Sequence, residues 1–214
     1  MLTGSIGSPL DAPPAENSGI HQRLAQKYRE QGVRAYAGKY SYGRPEVQFR
    51  PVETQKFDLE IGAFCSIVRA CVINLGSFGR HTTDFVSSYP LAMLFPVRGV
   101  ARDTSAAEHS GGSVSIGSDV WLGEGSAVFA GISIGHGAVV GARALVTKNV
   151  PPYAIVAGVP ARILCYRFPD VAIQRLLALS WWNWPDEAIQ AAIQSFHMID
   201  IERALSDLEA AQPC

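Results

Sequence analysis

The residues best suited to chemistry lie together in one segment, GRHTTDFVSSYPLAMLF, which spans residues 79–95. It presents His81, then Asp84 three residues later, and then a run of aromatic and aliphatic side chains. Histidine has the unperturbed side-chain pKa nearest neutral pH, so His81 is suited to take a proton from a reacting group. Asp84 could fix the imidazole tautomer, although a backbone carbonyl could serve equally. The segment therefore predicts proton transfer by one histidine.

A metal centre is the alternative use of this region, with His81, Asp84, Asp103 and His109 as ligands. Their spacings are irregular, and the four cysteines of the chain form no C-x-x-C pair and have no histidine at zinc-ligand spacing. We therefore expect no metal, and we expect the cysteines to be buried, reduced thiols.

The chain around this segment follows a six-residue repeat. From Ile116 it divides into IGSDVW, LGEGSA, VFAGIS, IGHGAV, VGARAL and VTKNVP, and each hexad begins with an aliphatic residue. Glycine takes the second position in four hexads, and five of the six fourth positions hold residue types that tolerate a left-handed φ or close a turn. This period excludes an amphipathic helix and predicts short strands joined by tight corners, with three hexads in one coil of a parallel β-helix.

A second block of hexads begins at Ile61 with IGAFCS, IVRACV and INLGSF. Ile61 and Ile116 are 55 residues apart, which is one more than a multiple of six, so the phase of the repeat slips between the blocks. We interpret residues 79–113 as an insertion loop. Loops of this length in a compact domain tend to be functional, and the apolar side chains after Asp84 must cover a partner subunit or a ligand.

The flanking segments predict three regions along the chain. Residues 1–19 are rich in Pro, Ser, Gly and Ala and predict a disordered tail, and residues 20–168 form the β-helix domain, which opens with a helix at 20–32. Residues 169–214 predict a C-terminal helical segment, because Pro169 and Pro185 each precede acids and an apolar stripe at helical spacing.

Composition narrows the partners. The chain has 18 basic and 19 acidic residues in 214, which favours neither nucleic acid nor an anionic membrane as partner. No apolar run approaches the roughly 20 residues that span a bilayer, and the N-terminal stretch lacks the pattern of a signal peptide. We expect a cytoplasmic protein.

The motifs together resemble those of the hexapeptide-repeat xenobiotic acetyltransferases, the group of the hexapeptide-type chloramphenicol and streptogramin acetyltransferases. The matching segments are YAGKYSYGRPEV, IGAFCSI, RHTTDFVSSYP, IGSDVWLG, VTKNVPPYAIVAGVPARI and RFPDVAIQRLLALSWWNWPDE. The resemblance implies a left-handed parallel β-helix, a homotrimer with active sites between subunits, acetyl-CoA as acetyl donor and a hydroxyl as acceptor. It also implies that His81 is the catalytic base.

Further site residues follow from the same resemblance. The phosphates of CoA require cations, so Lys148, Arg162 and Arg167 become candidates for contact with them. Trp121 could wall the thioester channel or simply pack. The expected cofactor-binding set is Trp121, Gly123, Ala142, Thr147, Lys148, Arg162 and Arg167, and the expected acceptor pocket is Tyr40, Tyr42, Asp84, Phe85, Tyr89 and Met93.

Three functions stay open from sequence alone. The first is O-acetylation of an apolar antibiotic, which the apolar insertion favours, and the second is O-acetylation of a saccharide or glycoconjugate, which demands a more polar pocket. The third is a trimeric scaffold without catalysis. A carbonic anhydrase-like function is disfavoured because His136 is the only histidine within the hexads, where we expect it to lie on the surface or to pack.

Overall fold

The computed structural model describes residues 33–49, 57–76, 85–89, 91–95 and 112–213, without the side chains of residues 92 and 93. The expected tail at 1–19, the expected helix at 20–32, and His81, Asp84, Asp103 and His109 lie outside the described residues. No helix within the described ranges is long and apolar enough to cross a membrane.

Successive strands visit three sheets in turn, so the chain winds through stacked three-sided coils. The first sheet has the order β1-β4-β7-β10, the second β14-β13-β11-β8-β5-β2, and the third β12-β9-β6-β3. All neighbours pair in parallel except β13 and β14. The strands are β1 Val33–Ala37, β2 Tyr42–Gly43, β3 Glu46–Gln48, β4 Phe57–Ile61, β5 Ser66–Ile67, β6 Val72–Asn74, β7 Val114–Ile116, β8 Trp121–Leu122, β9 Ala127–Val128, β10 Ser133–Ile134, β11 Val139–Val140, β12 Leu145–Val146, β13 Ala154–Ala157 and β14 Arg162–Tyr166.

The register confirms that three hexads make one coil. Ile116 lies beside Ile134 on the first sheet, and Leu122 lies beside Val140 on the second, each pair separated by 18 residues. The leading aliphatic of every hexad is buried and contributes to one continuous core inside the coils. Because a single coil cannot enclose its own aliphatic residues, each coil depends on its neighbours for burial.

The glycine at the second hexad position is required by the stacking of coils. A Cβ on Gly117 would lie 2.6 Å from the backbone nitrogen of His136, and a Cβ on Gly62 would lie 2.5 Å from the backbone nitrogen of Ser118. These glycines therefore allow the backbones of successive coils to approach at the corner.

The fourth hexad position closes the corner with a left-handed residue. From the third coil onward, Asp119, Gly125, Gly131, Gly137 and Arg143 have positive φ, whereas Asn149 does not. From residue type alone, a left-handed φ or a turn was expected at Asn149 and not at Arg143. Asn149 instead uses its side-chain oxygen to accept a hydrogen bond from the backbone N–H of Ser133.

The insertion starts at one particular corner of the coil. Ile61 pairs directly with Ile116, so the corresponding position recurs after 55 residues here and after 18 in the next coil. Since β6 belongs to the third sheet and β7 to the first, the inserted chain leaves and returns at the corner between these two sheets. Within its described part, α1 spans Leu91–Leu94.

The chain ends in helices that pack against the coils. The helices α2 (Asp170–Leu179) and α3 (Asp186–Ala191) begin directly after Pro169 and Pro185, as predicted. However, α3 ends before Ile193 and Phe196, which the expected stripe included, and a further helix, α4 (Ile201–Ala211), follows. Two short 3-10 helices, Trp181–Asn183 and Ser195–His197, connect them.

This helical segment covers the corner between the first and second sheets. The ring of Trp181 contacts Phe64 at 4.9 Å between centroids, and Trp182 stacks on His136 at 4.3 Å. Among the described residues, the outer face of the second sheet is left exposed at Tyr42 and Trp121.

The cysteines match the expectation only in part. Cys65 and Cys71 are buried free thiols, and burial raises the pKa of Cys65 to about 11. Cys165 is exposed, contrary to the expectation, because β14 forms the edge of the second sheet and every residue of that strand is exposed.

Candidate active site

The outer face of the second sheet carries a straight row of side chains. The parallel register places Tyr42 beside Ser66, Ser66 beside Trp121, and Trp121 beside Val139. Ser66, Trp121 and Val139 each precede a buried core residue and therefore point outward, and Tyr42 lies in the same row and is exposed. Tyr42 is 62% exposed and Trp121 is 52% exposed, which are large values for aromatic residues in a folded chain. Two of the expected site residues are thus brought onto one surface.

Further expected donor-site residues lie beside this row. Gly123 and Ala142 occupy the corner between the second and third sheets, where the backbone nitrogen of Ala142 lies 2.6 Å from a Cβ built on Gly123. Arg162 opens β14 at the edge of the second sheet, and its side chain is exposed apart from one hydrogen bond to the carbonyl of Ala161. The second sheet and this corner form what we call the sheet half of the site: Tyr42, Trp121, Gly123, Ala142 and Arg162.

Other expected residues lie on the far side of the coil. Thr147 and Lys148 follow β12 of the third sheet and precede the bridge between Ile134 and Val150 on the first sheet. They occupy the corner between the third and first sheets, which is also where the insertion that contains His81 begins and ends. In a three-sided coil this corner lies opposite the second sheet. We call Thr147, Lys148 and the insertion corner the corner half of the site; His81 belongs to the insertion by sequence and lies outside the described residues.

Tyr40 lies apart from Tyr42 despite the short separation in sequence. Its φ is 60°, its ring contacts Phe64 at 5.1 Å, and its hydroxyl donates to the carboxylate of Asp186. Tyr40 thus joins the first coil to α3, while Tyr42 points outward from the second sheet.

Arg167 is engaged within the chain. Its guanidinium donates to the Asp119 carboxylate at 2.9 Å and to the Gly137 carbonyl at 2.8 Å, and it lies over the rings of Tyr153 and Phe168. Burial raises the pKa of the Asp119 carboxyl, while Arg167 beside it acts in the opposite direction. This geometry favours a role in fixing the C-terminal segment over contact with a phosphate.

The insertion residues that are described are strongly exposed. Phe85 is 64% exposed and Tyr89 is 56% exposed, and Leu91, Leu94 and Phe95 are also exposed. The side chain of Met93 lies outside the described part of the structure. An apolar surface of this kind on a single chain is consistent with the expected cover by a partner or ligand.

The chain is similar in sequence to known acetyltransferases. The probable macrolide acetyltransferase of Lysinibacillus sphaericus is 33% identical over 150 residues, which make up 70% of this chain and 81% of that protein. The chain belongs to the hexapeptide-repeat xenobiotic acetyltransferases.

Other members of this family match over a shorter region. A chloramphenicol acetyltransferase from Escherichia coli is 43% identical over 135 residues, or 63% of this chain, and the match spans 64% of that relative's length. Among solved structures, a hexapeptide-repeat acetyltransferase from Vibrio cholerae aligns over 71% of this chain and 84% of that chain, with 20% identity and a TM-score of 0.46. No protein-family model matches the chain.

His136 packs against the C-terminal segment of this xenobiotic acetyltransferase. Sequence analysis had expected it either to lie on the surface or to pack. Its ring stacks on Trp182, and its Nδ1 accepts a hydrogen bond from the backbone N–H of Ser118 at 2.9 Å. The proton of the neutral ring therefore sits on Nε2. Burial lowers the pKa of His136 from its ordinary value of 6.5.

This environment predicts a loss of stability in mild acid. Because the folded-state pKa of His136 is depressed, its stabilisation is complete above about pH 6.5 and is lost as the pH falls below that value, with a slope of at most about 1.4 kcal/mol per pH unit. His136→Asn retains an acceptor near the Nδ1 position and cannot titrate. Urea unfolding between about pH 7.5 and pH 5.5 should show a flatter profile for the variant. Parallel profiles for the two proteins would contradict the assignment.

Ser66 is a residue of this outward row that sequence analysis did not name. It lies between Tyr42 and Trp121 in the outward row, and it directly precedes the core-facing Ile67 just as Trp121 precedes Leu122. Aligning the hexads by coil would have found it. Among the described residues, no group of three or more His, Cys, Asp or Glu side chains is arranged to hold a metal ion.

Proposed function

We propose that the chain is an acetyl-CoA-dependent O-acetyltransferase that modifies a hydroxyl of an apolar xenobiotic such as chloramphenicol or a streptogramin, and thereby confers antibiotic resistance. It acts in the cytoplasm as a homotrimer of left-handed parallel β-helices. The family supports acetyl transfer, and two relatives carry the names chloramphenicol and probable macrolide acetyltransferase.

The observation that carries the trimeric arrangement is the separation of the two halves of the site. The sheet half lies on the second sheet, and the corner half begins at the opposite corner of the coil. One chain therefore does not bring them together along its own coils, whereas a second copy can place its corner against the second sheet of the first. Three such contacts close a ring of three subunits with an active site at each interface.

The chemistry requires no nucleophilic side chain, because a thioester is already an activated acyl donor. His81 takes the proton of the acceptor hydroxyl as its oxygen attacks the acetyl carbonyl. The tetrahedral intermediate collapses, the carbon–sulfur bond breaks, and the imidazolium returns the proton to the departing thiolate of CoA. The acetyl group thus passes directly to the acceptor in a ternary complex, with Asp84 or a backbone carbonyl holding the imidazole.

A mixing experiment tests the arrangement. His81→Ala removes the corner half, and Ala142→Trp fills the exposed small-residue groove of the sheet half. We expect each variant alone to be inactive. Trimers reassembled from equal amounts of both should recover activity at about one quarter of their sites, since only an interface with an intact corner from one chain and an intact sheet from the other is complete. Absence of recovery in verified mixed trimers would place both halves in one subunit.

An acceptor panel tests the activity itself. Release of free CoA thiol is measured with acetyl-CoA and chloramphenicol, a streptogramin or maltose. A saccharide O-acetyltransferase is the second candidate, and preference for maltose would establish it. A trimer that releases no thiol with any acceptor, and for which His81→Ala changes nothing, would be the scaffold that the sequence left open.

Variants of two arginines distinguish a residue that contacts the CoA phosphates from one that supports the fold. Arg162→Ala should raise the KM for acetyl-CoA about 10-fold without loss of stability, because a charge-assisted bond to phosphate disappears from an exposed side chain. Arg167→Ala should instead lower the free energy of unfolding by about 1 to 2 kcal/mol, allowing for the partial solvent exposure of its ion pair with Asp119, and leave this KM unchanged. Steady-state kinetics and urea unfolding of both variants provide the measurements. The reverse pattern would return Arg167 to the donor site and remove Arg162 from it.

A further inference from the structure

A pocket of about 310 Å³ lies between the C-terminal helical segment and the corner of the coil that this segment covers. Aromatic side chains form much of its wall, and aliphatic residues of α2, α3 and α4 complete it. We call this space the cap pocket, with Phe64, Phe168, Trp181 and Phe196 as its aromatic walls. Among its described lining residues, none belongs to the sheet half or the corner half of the proposed active site. Its volume is in the range of small-molecule sites, about 300 to 1,000 Å³.

The Tyr153 hydroxyl is the polar group of the cap pocket that points to a ligand. Tyr153 is 1% exposed, and among the described residues its hydroxyl is the buried side-chain polar group without a hydrogen-bond partner. The indole of Trp181 lies close enough to act on this hydroxyl, so the hydroxyl end of the ring faces the cap pocket, but the two groups form no hydrogen bond. Buried tyrosine hydroxyls usually have a partner, so this one predicts a molecule that enters the pocket.

The fold holds the Tyr153 ring in place. A Cβ built on Gly137 would lie 2.4 Å from a ring carbon, so the ring packs directly on the glycine, and the guanidinium of Arg167 lies 5.3 Å from the ring centroid. Arg167 is in turn held by the Asp119 carboxylate and the Gly137 carbonyl. The hydroxyl therefore keeps its position, and a partner has to come to it.

The charges in the cap pocket favour a neutral ligand. Asp119 and Arg167 are the charged residues among its described lining residues, and they pair with each other at 2.9 Å. Burial raises the pKa of the Tyr153 hydroxyl, so this group also stays neutral. Among these lining residues an ionic ligand would find no unpaired opposite charge, whereas the aromatic walls suit a flat apolar body.

Water alone is a poor occupant of such a pocket. At about 30 Å³ per molecule the volume corresponds to roughly ten waters, and each ordered water needs about two to four polar partners. The described walls offer the hydroxyls of Tyr153 and Ser195 and the pair of Asp119 with Arg167, and their other side chains are apolar. An apolar molecule with one polar group is complementary to both kinds of wall.

We infer that the cap pocket binds a small neutral aromatic molecule, such as a substituted phenol, whose ring lies among the aromatic walls and whose hydroxyl bonds to Tyr153. This binding is separate from acetyl transfer and does not depend on the proposed function. Because the ligand contacts both the coil and the C-terminal helices, it stabilises the folded chain by mass action.

Two probes that differ by one hydroxyl, 4-butylphenol and butylbenzene, test the inference. Tyr153→Phe removes the hydroxyl and keeps the ring, so the Kd of 4-butylphenol should rise about fivefold while that of butylbenzene stays within about twofold. Isothermal titration calorimetry of the full chain, without CoA or acceptor, measures both values. Tyr166→Phe is the matched control, because Tyr166 is an exposed tyrosine of β14 that does not line the cap pocket, and it should change neither Kd.

Unfolding without a ligand tests the premise that the fold gives the Tyr153 hydroxyl no partner. At one protomer concentration, Tyr153→Phe should not lower the urea midpoint relative to Tyr166→Phe, because no hydrogen bond is lost. A lower midpoint would show that Trp181 or water satisfies the hydroxyl and would overturn the inference.

Ala204→Leu locates the bound probe. Ala204 is a buried residue of α4 that lines the cap pocket, and a larger side chain there takes up its space. The variant should weaken the binding of both probes about 10-fold. If Ala204→Leu fails to fold, Tyr153→Phe decides alone.

Three results would overturn the cap pocket as a binding site. They are wild-type protein that binds neither probe, an equal Kd of 4-butylphenol for the wild type and Tyr153→Phe, and displacement of 4-butylphenol by chloramphenicol, which would place the probe in the acceptor site. Protein that shows the expected Kd changes but releases no thiol with any acceptor would refute the proposed acetyl transfer and retain the cap pocket.

Discussion

Replacing His81 by alanine is expected to lower kcat by at least about 100-fold, the smaller end of what a positioned general base contributes. The thioester supplies the activated acyl group, so removal of the proton from the acceptor hydroxyl is the step that the side chain must assist. Without the imidazole, water has to take that proton. The KM for acetyl-CoA should change little, because the donor is held by other residues. Steady-state thiol release at saturating acceptor measures the effect.

The matched control for this variant is His109→Ala, which removes a second histidine from the same insertion. It should keep kcat within about threefold of the wild type, because no proton transfer is assigned to it. A loss confined to His109→Ala would move the base to that residue. Equal turnover by His81→Ala and the wild type would end the proposed mechanism.

The largest loss of stability is expected from Gly117→Ala. The added Cβ would lie 2.6 Å from the backbone nitrogen of His136 and 2.9 Å from its Cα, and backbone of a stacked coil cannot turn aside as a flexible side chain can. Overpacking of this kind should lower the free energy of unfolding by about 3 kcal/mol. Urea unfolding at a fixed protomer concentration measures the change, since assembly makes the midpoint depend on concentration.

Gly131→Ala makes the same chemical change where space is open. Gly131 has a left-handed φ of +75° and no atom within 4 Å of a Cβ built on it. Only backbone strain should appear, at about 1 kcal/mol. The restriction of the unfolded chain is common to both substitutions and the left-handed strain falls on Gly131 alone, so the excess loss at Gly117 is a lower bound on the cost of the contact between coils. A loss at Gly117 no larger than the loss at Gly131 would contradict the expected clash between stacked coils.

The repeat was readable from the sequence because its physical cause is local. An aliphatic residue every six positions must point inward, and the pairing of Ile116 with Ile134 follows from that period. The phase slip likewise located the insertion correctly between Ile61 and Ile116. The starts of α2 and α3 were equally predictable, because proline and acids favour the first turn of a helix.

Sequence reasoning was weaker where a contact joins distant segments. Arg167 was expected at a phosphate because of its charge, and the pairing with Asp119, 48 residues away, could not be read from spacing. Tyr40 and Tyr42 appeared equivalent in sequence, yet a left-handed φ at Tyr40 sends the two side chains to different faces. Arg143 is a further example. Its position at the corner of the coil imposes a left-handed φ that its residue type did not predict. His81 and Asp84 lie outside the described residues, so their roles stay predictions.

The opposition of the insertion corner and the second sheet also matters before assembly. A newly made, solitary polypeptide would hold the base on one side of its coil and the thioester groove on the other. On the proposed arrangement such a polypeptide can neither hydrolyse acetyl-CoA nor transfer its acetyl group to other alcohols. Catalytic competence then appears only when three finished copies meet, which protects the metabolite pool during synthesis.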